Sequence, residues 1–195
     1  MQRKRARIGL RSVSVLAAVA ALVEVAFLAP AARAARSDIT VAPWTFRTGS
    51  EASWVQVDGD WQLFLTKDVD TGVASAAGAH VNGVKGLSTA GLTIGFTVEG
   101  AGDYCSGGAP RFNLHLQGDP TTYFLGCPLG DRVGNVVSFA AGNGYGQGPG
   151  CETACQFPSH GTIDSLNIVF DEHGSTYLDD IFVGGFTAGG PGHTD

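Results

Sequence analysis

The most suggestive group for ligand binding in this sequence is a set of four polar residues spaced two apart: Arg111, Asn113, His115 and Gln117. Apolar residues occupy the positions between them, which is the period of a β-strand with one buried face. All four side chains are therefore expected on one exposed face, where guanidinium, amide and imidazole groups suit sugar hydroxyls. Tyr145, from a later glycine-rich segment, could add a ring face. The alternative is a solvated strand face that binds nothing.

Carboxylates suggest a metal site. Asp179 and Asp180 are adjacent within an otherwise apolar strand, so one of them must face the interior or its rim. A buried carboxylate needs a partner such as a cation. Asp68 and Asp70 alternate in a manner typical of calcium loops. We expect a structural calcium near the closing strand, bound by Asp179 or Asp180 with the acids of the earlier turn; the alternative for Asp68 and Asp70 is a plain acidic turn.

No catalytic constellation stands out. The segment 102–108 contains the letters of a serine-protease motif, but two inserted residues disrupt its oxyanion turn and no segment supplies the base. Asp171, Glu172 and His173 form the tightest acid–base cluster, although their position between two strands favours a solvated turn. A glycosidase would need two facing carboxylates, which the sequence alone cannot select. The expectation is a protein that is not an enzyme, with a small hydrolase or lyase as the less favoured alternative.

The four cysteines are an even set, which predicts disulfides in an exported chain. Cys105 and Cys127 flank an apparent hairpin, whereas Cys151 and Cys155 can close a tight local ring. We favour the pairs 105–127 and 151–155 over the other two pairings. Zinc is the alternative, but the chain has only one close cysteine pair and no spaced histidine pair.

Residues 1–34 are predicted to be a signal peptide. A basic start is followed by an apolar stretch over 13–28 and by Ala32 and Ala34, which fit the small-x-small cleavage rule. An uncleaved anchor is the alternative, disfavoured by Glu24 within the apolar stretch. Because no consecutive arginine pair is present, the general secretory route is favoured. The prediction is a secreted, extracellular protein.

Charge restricts the partners of the mature chain. Residues 1–34 contain six of the twelve basic and one of the eighteen acidic residues, so 35–195 carries a net charge of −11. Nucleic acid and anionic membranes bind basic surfaces, and both are therefore excluded as expected partners. We expect no transmembrane span in the mature protein, and a monomer.

The elements that would position these residues are short strands separated by glycine-rich turns. Asp58-Gly59-Asp60 is a hairpin signal between two alternating runs. This pattern predicts an all-β fold: one antiparallel β-sandwich domain of jelly-roll type over residues 35–186, with a flexible tail over 187–195. Segment 71–87 is expected to be a crossover or a pair of weak strands, and 141–161 a long loop. The remaining predicted strands are 54–57, 61–65, 92–98, 111–117, 121–126, 136–140, 162–170 and 176–183.

The closing run Leu178-Asp179-Asp180-Ile181 resembles the last strand of secreted carbohydrate-binding modules and their galactose-binding-like relatives. That resemblance implies a jelly roll in which an aspartate of this strand helps to hold a structural calcium. The segment from Cys105 to Cys127 resembles a stretch of secreted bacterial proteins of unassigned function, which implies a shared module and no activity.

Together these observations predict a secreted, non-catalytic domain that binds carbohydrate or a cell-envelope polymer. A structural surface protein with no small ligand is the main alternative.

Overall fold

The period-two runs form strands, and local turn chemistry sets the first hairpin. The computed structural model describes residues 39–100, 102–149 and 151–192, without the side chains of 152–155. Asp58 and Gly59 both have positive φ, at 53° and 99°, as a two-residue hairpin turn with right-handed strand twist requires. The predicted signal peptide over 1–34 lies outside the described residues.

Fourteen strands are present in the described part of the chain, together with a single 3₁₀ turn at Cys127–Leu129. In chain order the strands are β1 (Thr40–Phe46), β2 (Ser50–Val57), β3 (Asp60–Lys67), β4 (Ala76–Asn82), β5 (Ile94–Val98), β6 (Arg111–Leu116), β7 (Thr122–Gly126), β8 (Asp131–Val133), β9 (Val136–Phe139), β10 (Tyr145–Gly148), β11 (Cys151–Cys155), β12 (Ile163–Phe170), β13 (Gly174–Val183) and β14 (Phe186–Ala188).

Two antiparallel sheets pack face to face. The first sheet has the order β1-β4-β12-β6-β7-β10-β11, and the second has β2-β3-β13-β5-β9-β8, with β14 paired to β13. Eight of these strands, β3 to β7 with β9, β12 and β13, give the central orders β4-β12-β6-β7 and β3-β13-β5-β9. In each sheet a late strand lies between two early ones, which is the double Greek key of a jelly roll. The predicted fold class is confirmed.

The core lies between the sheets and contains three contacting phenylalanines. Phe96 from the second sheet lies 5.3 Å from Phe112 of the first, and both contact Phe139, at 6.2 and 6.0 Å between ring centroids. All three are fully buried. Aromatic pairs of this kind contribute about 0.5–1.5 kcal/mol each beyond their buried area, so they help to hold the two sheets together.

Three segments contain more regular structure than the sequence predicts. The weak run 71–87 contains β4, an interior strand whose Ala77 and Ala79 are buried. Gly78 of this strand lies beneath the Trp44 indole, where an added Cβ would come within 2.4 Å of the ring. The expected loop 141–161 contains the edge hairpin β10–β11, and β14 extends pairing through Ala188, into the segment expected as a tail.

Among the described residues, no helix has the length and apolar character needed to cross a membrane.

Candidate functional site

A line of five side chains crosses the outer face of the first sheet, and we call it the outer row. Its members, from β4 through β12, β6 and β7 to β10, are His80, Asn167, Asn113, Phe124 and Tyr145. Each is the register partner of the next, so they are direct cross-strand neighbours. At about 4.8 Å between strands, the row extends about 19 Å.

Two aromatic rings form one end of the row. The Phe124 and Tyr145 centroids are 5.2 Å apart with an interplanar angle of 33°. Tyr145 is 43% exposed, while Phe124 is half-buried beneath the Arg111 guanidinium, whose carbon lies 5.5 Å from the ring centroid. This end offers an apolar surface with a phenol hydroxyl at its edge.

Arg111 adjoins the row and is fixed from two sides. Its two terminal nitrogens donate to the carboxylate of Asp171 at 2.6 and 2.7 Å, a bidentate ion pair. Its Nε donates to Oδ1 of Asn113 at 2.9 Å. The charge of Arg111 is thus neutralised within the protein, and the Asn113 amide is oriented with its Nδ2 amino group left for other contacts.

At the opposite end of the row, His80 orients a second amide, that of Asn167. Nδ1 of His80 lies 2.6 Å from Oδ1 of Asn167, and because an amide oxygen can only accept, the imidazole donates. The Trp44 ring lies 6.0 Å from the exposed His80 ring. Asn167, like Asn113, therefore has its oxygen engaged and its amino group available.

The structure brings together three of the five predicted ligand-binding residues: Arg111, Asn113 and Tyr145. His115 lies one row away on the same face, opposite Ser165 and Thr122. Gln117 follows the end of β6, where its amide donates to the Ile163 carbonyl at 3.4 Å.

Sequence reasoning missed His80, Asn167 and Phe124. The alternation of apolar and polar residues in β12 and β7 places Asn167 and Phe124 on outer faces. However, nothing in the sequence states that these strands are neighbours of β6.

An acidic cleft lies on the outer face of the second sheet. It encloses about 510 Å³ and is lined by Val57, Asp58, Gln62, Glu99, Gly100, Asp103 and Tyr177. Burial raises the pKa of Glu99 above 4.5, and the charges of Asp179, Asp180, Asp103 and Asp60 raise it further. Gln62, which also lines the cleft, is only 8% exposed.

The predicted metal ligands lie in two separate places. Gly174 pairs with Lys67 and Leu178 with Leu63, so Asp179 lies about six residues, or roughly 20 Å, from Asp68 along the sheet. One ion could therefore contact only one of the two predicted pairs. The Asp68 carboxylate accepts a hydrogen bond from Thr66 at 3.1 Å, and Asp70 is exposed. Within the described ranges, no group of three or more histidine, cysteine or acidic residues has the geometry to hold a metal ion.

Asp179 and Asp180 occupy an irregularity in β13. The register with β5 shifts between Asp179 and Phe182, and Asp180 has a φ of 44°. The bulge turns Asp180 outward, where its carboxylate accepts a hydrogen bond from Thr97 at 3.4 Å. An extra residue in the strand thus lets both acids reach the surface, which the simple alternation argument did not anticipate.

The Cys105–Cys127 disulfide is confirmed. It joins the loop before β6 to the residue after β7, so it ties the two strands that carry Asn113 and Phe124. Cys151 is also disulfide-bonded, and the side chain of Cys155, its predicted partner, lies outside the described residues.

Comparison of the chain with models of protein families, with curated proteins and with solved structures finds no match. Any proposal of function therefore depends on the geometry of this chain.

Proposed function

We propose that this protein is a non-catalytic polysaccharide-binding domain and that the outer row is its binding surface. The observation that carries the proposal is the unbroken register from two aromatic rings to two pre-oriented amides across five adjacent strands. A sugar ring presents an apolar face and a rim of hydroxyls. Phe124 and Tyr145 match the apolar face, and Asn113 and Asn167 can donate to the hydroxyl oxygens.

Preorganisation strengthens the proposal. Asn113 is held by Arg111, and Arg111 in turn by Asp171, so little side-chain entropy remains to be lost when a ligand binds. Cross-strand pairs of this kind stabilise a sheet by about 0.2–1 kcal/mol each, but that role does not explain why both amides keep an amino group available beside two aromatic rings. The alternative of a structural surface protein accounts less well for this arrangement.

The Cys105–Cys127 disulfide fits an oxidising compartment. We propose secretion by the general route and a polymer of the extracellular medium or cell envelope as the partner. The resemblance of the closing strand to carbohydrate-binding modules points in the same direction.

The test is a binding screen of residues 35–195 against soluble and insoluble polysaccharides, followed by variants. Tyr145→Ala and Asn113→Ala should each weaken binding about tenfold, since 1.4 kcal/mol corresponds to a factor of ten. Leu129→Ala is the matched control, because Leu129 has a similar exposure of 45% and lies outside the row. Retention of full affinity in both row variants would place the binding surface elsewhere, and binding to no polymer would favour the structural alternative.

We also propose that calcium binds in the acidic cleft, where the charge of Asp179 acts on Glu99, by drawing together carboxylates that do not form a metal-binding group among the described residues. Gln62 supports this choice, because it lines the cleft beside Asp58, Glu99 and Asp103, and its amide oxygen is a ligand type that calcium accepts together with carboxylates. The mutual repulsion of those carboxylates gives a hard cation a reason to bind and to draw them together. Calcium should raise the melting temperature of the wild type and of Asp68→Asn, but not of Gln62→Ala. An unchanged melting temperature in the wild type would contradict the proposal.

A further inference from the structure

We infer that the ligand of the outer row is an uncharged polysaccharide, an inference that rests on the proposed function and narrows it to one class of polymer. The ion pairs and hydrogen bonds on this face decide which charges a ligand would meet there.

The cations of the described chain are all accounted for. They are Arg47, Lys67, Lys85, Arg111 and Arg132. Arg111 is the one that adjoins the row, and both of its terminal nitrogens are engaged by Asp171 at 2.6 and 2.7 Å. An anionic sugar could bind Arg111 only by displacing a carboxylate that the protein already holds in bidentate geometry.

The other four cations cannot take its place. Lys67 is 1% exposed and donates to three backbone carbonyls. Lys85, in the turn after β4, pairs with Asp164 at 2.7 Å. Arg47 follows the end of β1, and Arg132 belongs to the second sheet. The outer row therefore presents no unpaired cation from the described residues to a uronate or sulfate group.

A cationic polymer is equally mismatched to the row. The oxygen of Asn113 is engaged by Arg111, and that of Asn167 by His80, so both side chains present amino groups that donate. The carboxylate of Asp171 is engaged as well. An ammonium group needs acceptor oxygens, and the amides of the row offer donors. Of the two aromatic rings, Phe124 already lies beneath the Arg111 guanidinium, which leaves only the Tyr145 ring of the row for a cation–π contact. Hydroxyl, ring and amide-carbonyl oxygens of an uncharged glycan are what such donors match.

The experiment compares the wild type on three matched pairs of soluble polymers by affinity electrophoresis at about pH 8, where imidazole is neutral. The pairs are hydroxyethyl cellulose and carboxymethyl cellulose, galactan and polygalacturonate, and glycol chitin and N-trimethylated glycol chitosan, whose quaternary ammonium groups keep their charge at this pH. We expect the uncharged member of at least one pair to bind about tenfold or more tightly than its charged partner. Its affinity should change less than about twofold between low and high salt, because no ion pair forms.

The outcomes separate this inference from the proposed function. Tighter binding of a charged member, weakened by salt, would overturn the inference and leave polysaccharide binding in place. Binding to none of the six polymers, with binding to a different uncharged polymer in the wider screen, would agree with the inference. Binding to no polymer in either experiment would overturn both.

A variant tests the role of the ion pair directly. Asp171→Asn should release the charge of Arg111 and create salt-sensitive retention by carboxymethyl cellulose. Asp131→Asn makes the same change in net charge on exposed β8 of the second sheet and should create none. Equal behaviour of the two variants would contradict the inference. If Asp171→Asn does not fold, the comparison of polymer pairs on the wild type still decides it.

Discussion

Lys67 is a buried cation whose replacement should strongly destabilise this fold. It lies at the end of β3 and is 1% exposed, yet no carboxylate pairs with its ammonium group among the described contacts. Instead Nζ donates to the backbone carbonyls of Thr71, Val73 and Asp171 at 2.9, 2.8 and 2.7 Å. The ammonium group thus joins β3, the loop before β4 and the connection from β12 to β13.

The expected cost of Lys67→Met follows from those three contacts. Methionine fills a similar volume but leaves three carbonyls without a donor, and a buried unsatisfied group costs about 1–3 kcal/mol. The loop at 71–74 is exposed, so water can partly replace the donor, and the lower end of that range applies. Three groups at about 1 kcal/mol give about 3 kcal/mol, a large part of the 5–15 kcal/mol that is typical of a domain.

Urea unfolding at neutral pH measures this change. With an m value of about 1–3 kcal/mol per M, the midpoint should fall by about 1–3 M while m stays constant. Lys85→Met is the control, because an exposed ion pair contributes about 1 kcal/mol or less. Lys67→Arg should also destabilise the protein, because the N–H groups of a planar guanidinium cannot reach three carbonyl oxygens that are arranged around a single ammonium nitrogen. A Lys67→Met midpoint no lower than that of the control would refute the reasoning.

Three further changes have defined outcomes. Replacing both Cys105 and Cys127 with alanine opens a loop with a sequence separation of 22 and should lower the free energy of unfolding by about 3 kcal/mol. Urea titration measures this change, and a loss below about 1 kcal/mol would contradict the loop-entropy argument. Tyr123→Phe removes the 2.8 Å hydrogen bond to Asp119 and should lower the free energy of unfolding by about 1.5–3 kcal/mol at neutral pH. Burial would raise the pKa of Asp119, but its hydrogen bonds lower it overall, and the stability that a lowered pKa provides is lost on acidification. The difference in stability between wild type and variant should therefore shrink as pH falls below about 4, and a pH-independent difference would count against this prediction. Glu99→Gln should raise the melting temperature at neutral pH in chelator-treated buffer. Because the pKa of Glu99 is raised in the folded protein, its protonated form stabilises the fold below about pH 4.5, and this stability is lost as pH rises through the pKa of the folded state. No gain in melting temperature at neutral pH, or an equal gain at low pH, would be inconsistent with the repulsion described for the cleft.

Local sequence was sufficient for much of the fold. The Asp58-Gly59 turn needs positive φ at two adjacent residues, and only a few residue types adopt that conformation readily. These two residues were therefore enough to predict the first hairpin. The alternation over β6 likewise identified the exposed face of Arg111 and Asn113. These features depend on residues a few positions apart, which a sequence displays directly.

Segment 71–87 shows where local reasoning stops. Its alanines and glycines give weak strand propensity, yet β4 lies inside the first sheet, between β1 and β12, and Gly78 leaves room there for the Trp44 ring. Small residues here reflect a close neighbour from β1 and not a loose chain. That neighbour is more than thirty positions away.

The sequence by itself determined an all-β chain, the exposed faces of most of its strands and a strongly acidic stretch over residues 35–195, because each depends on residue type or on a period of two. It favoured, without fixing it, the Cys105–Cys127 pair that the structure contains. Only the tertiary structure decided which strands are neighbours. It placed Asn167 beside Asn113 and Asp171 against Arg111, 60 positions apart, and separated Asp179 from Asp68. Strand order comes from the packing of distant segments around a shared core. The period of a strand fixes which way a side chain faces, but not which side chain lies next to it.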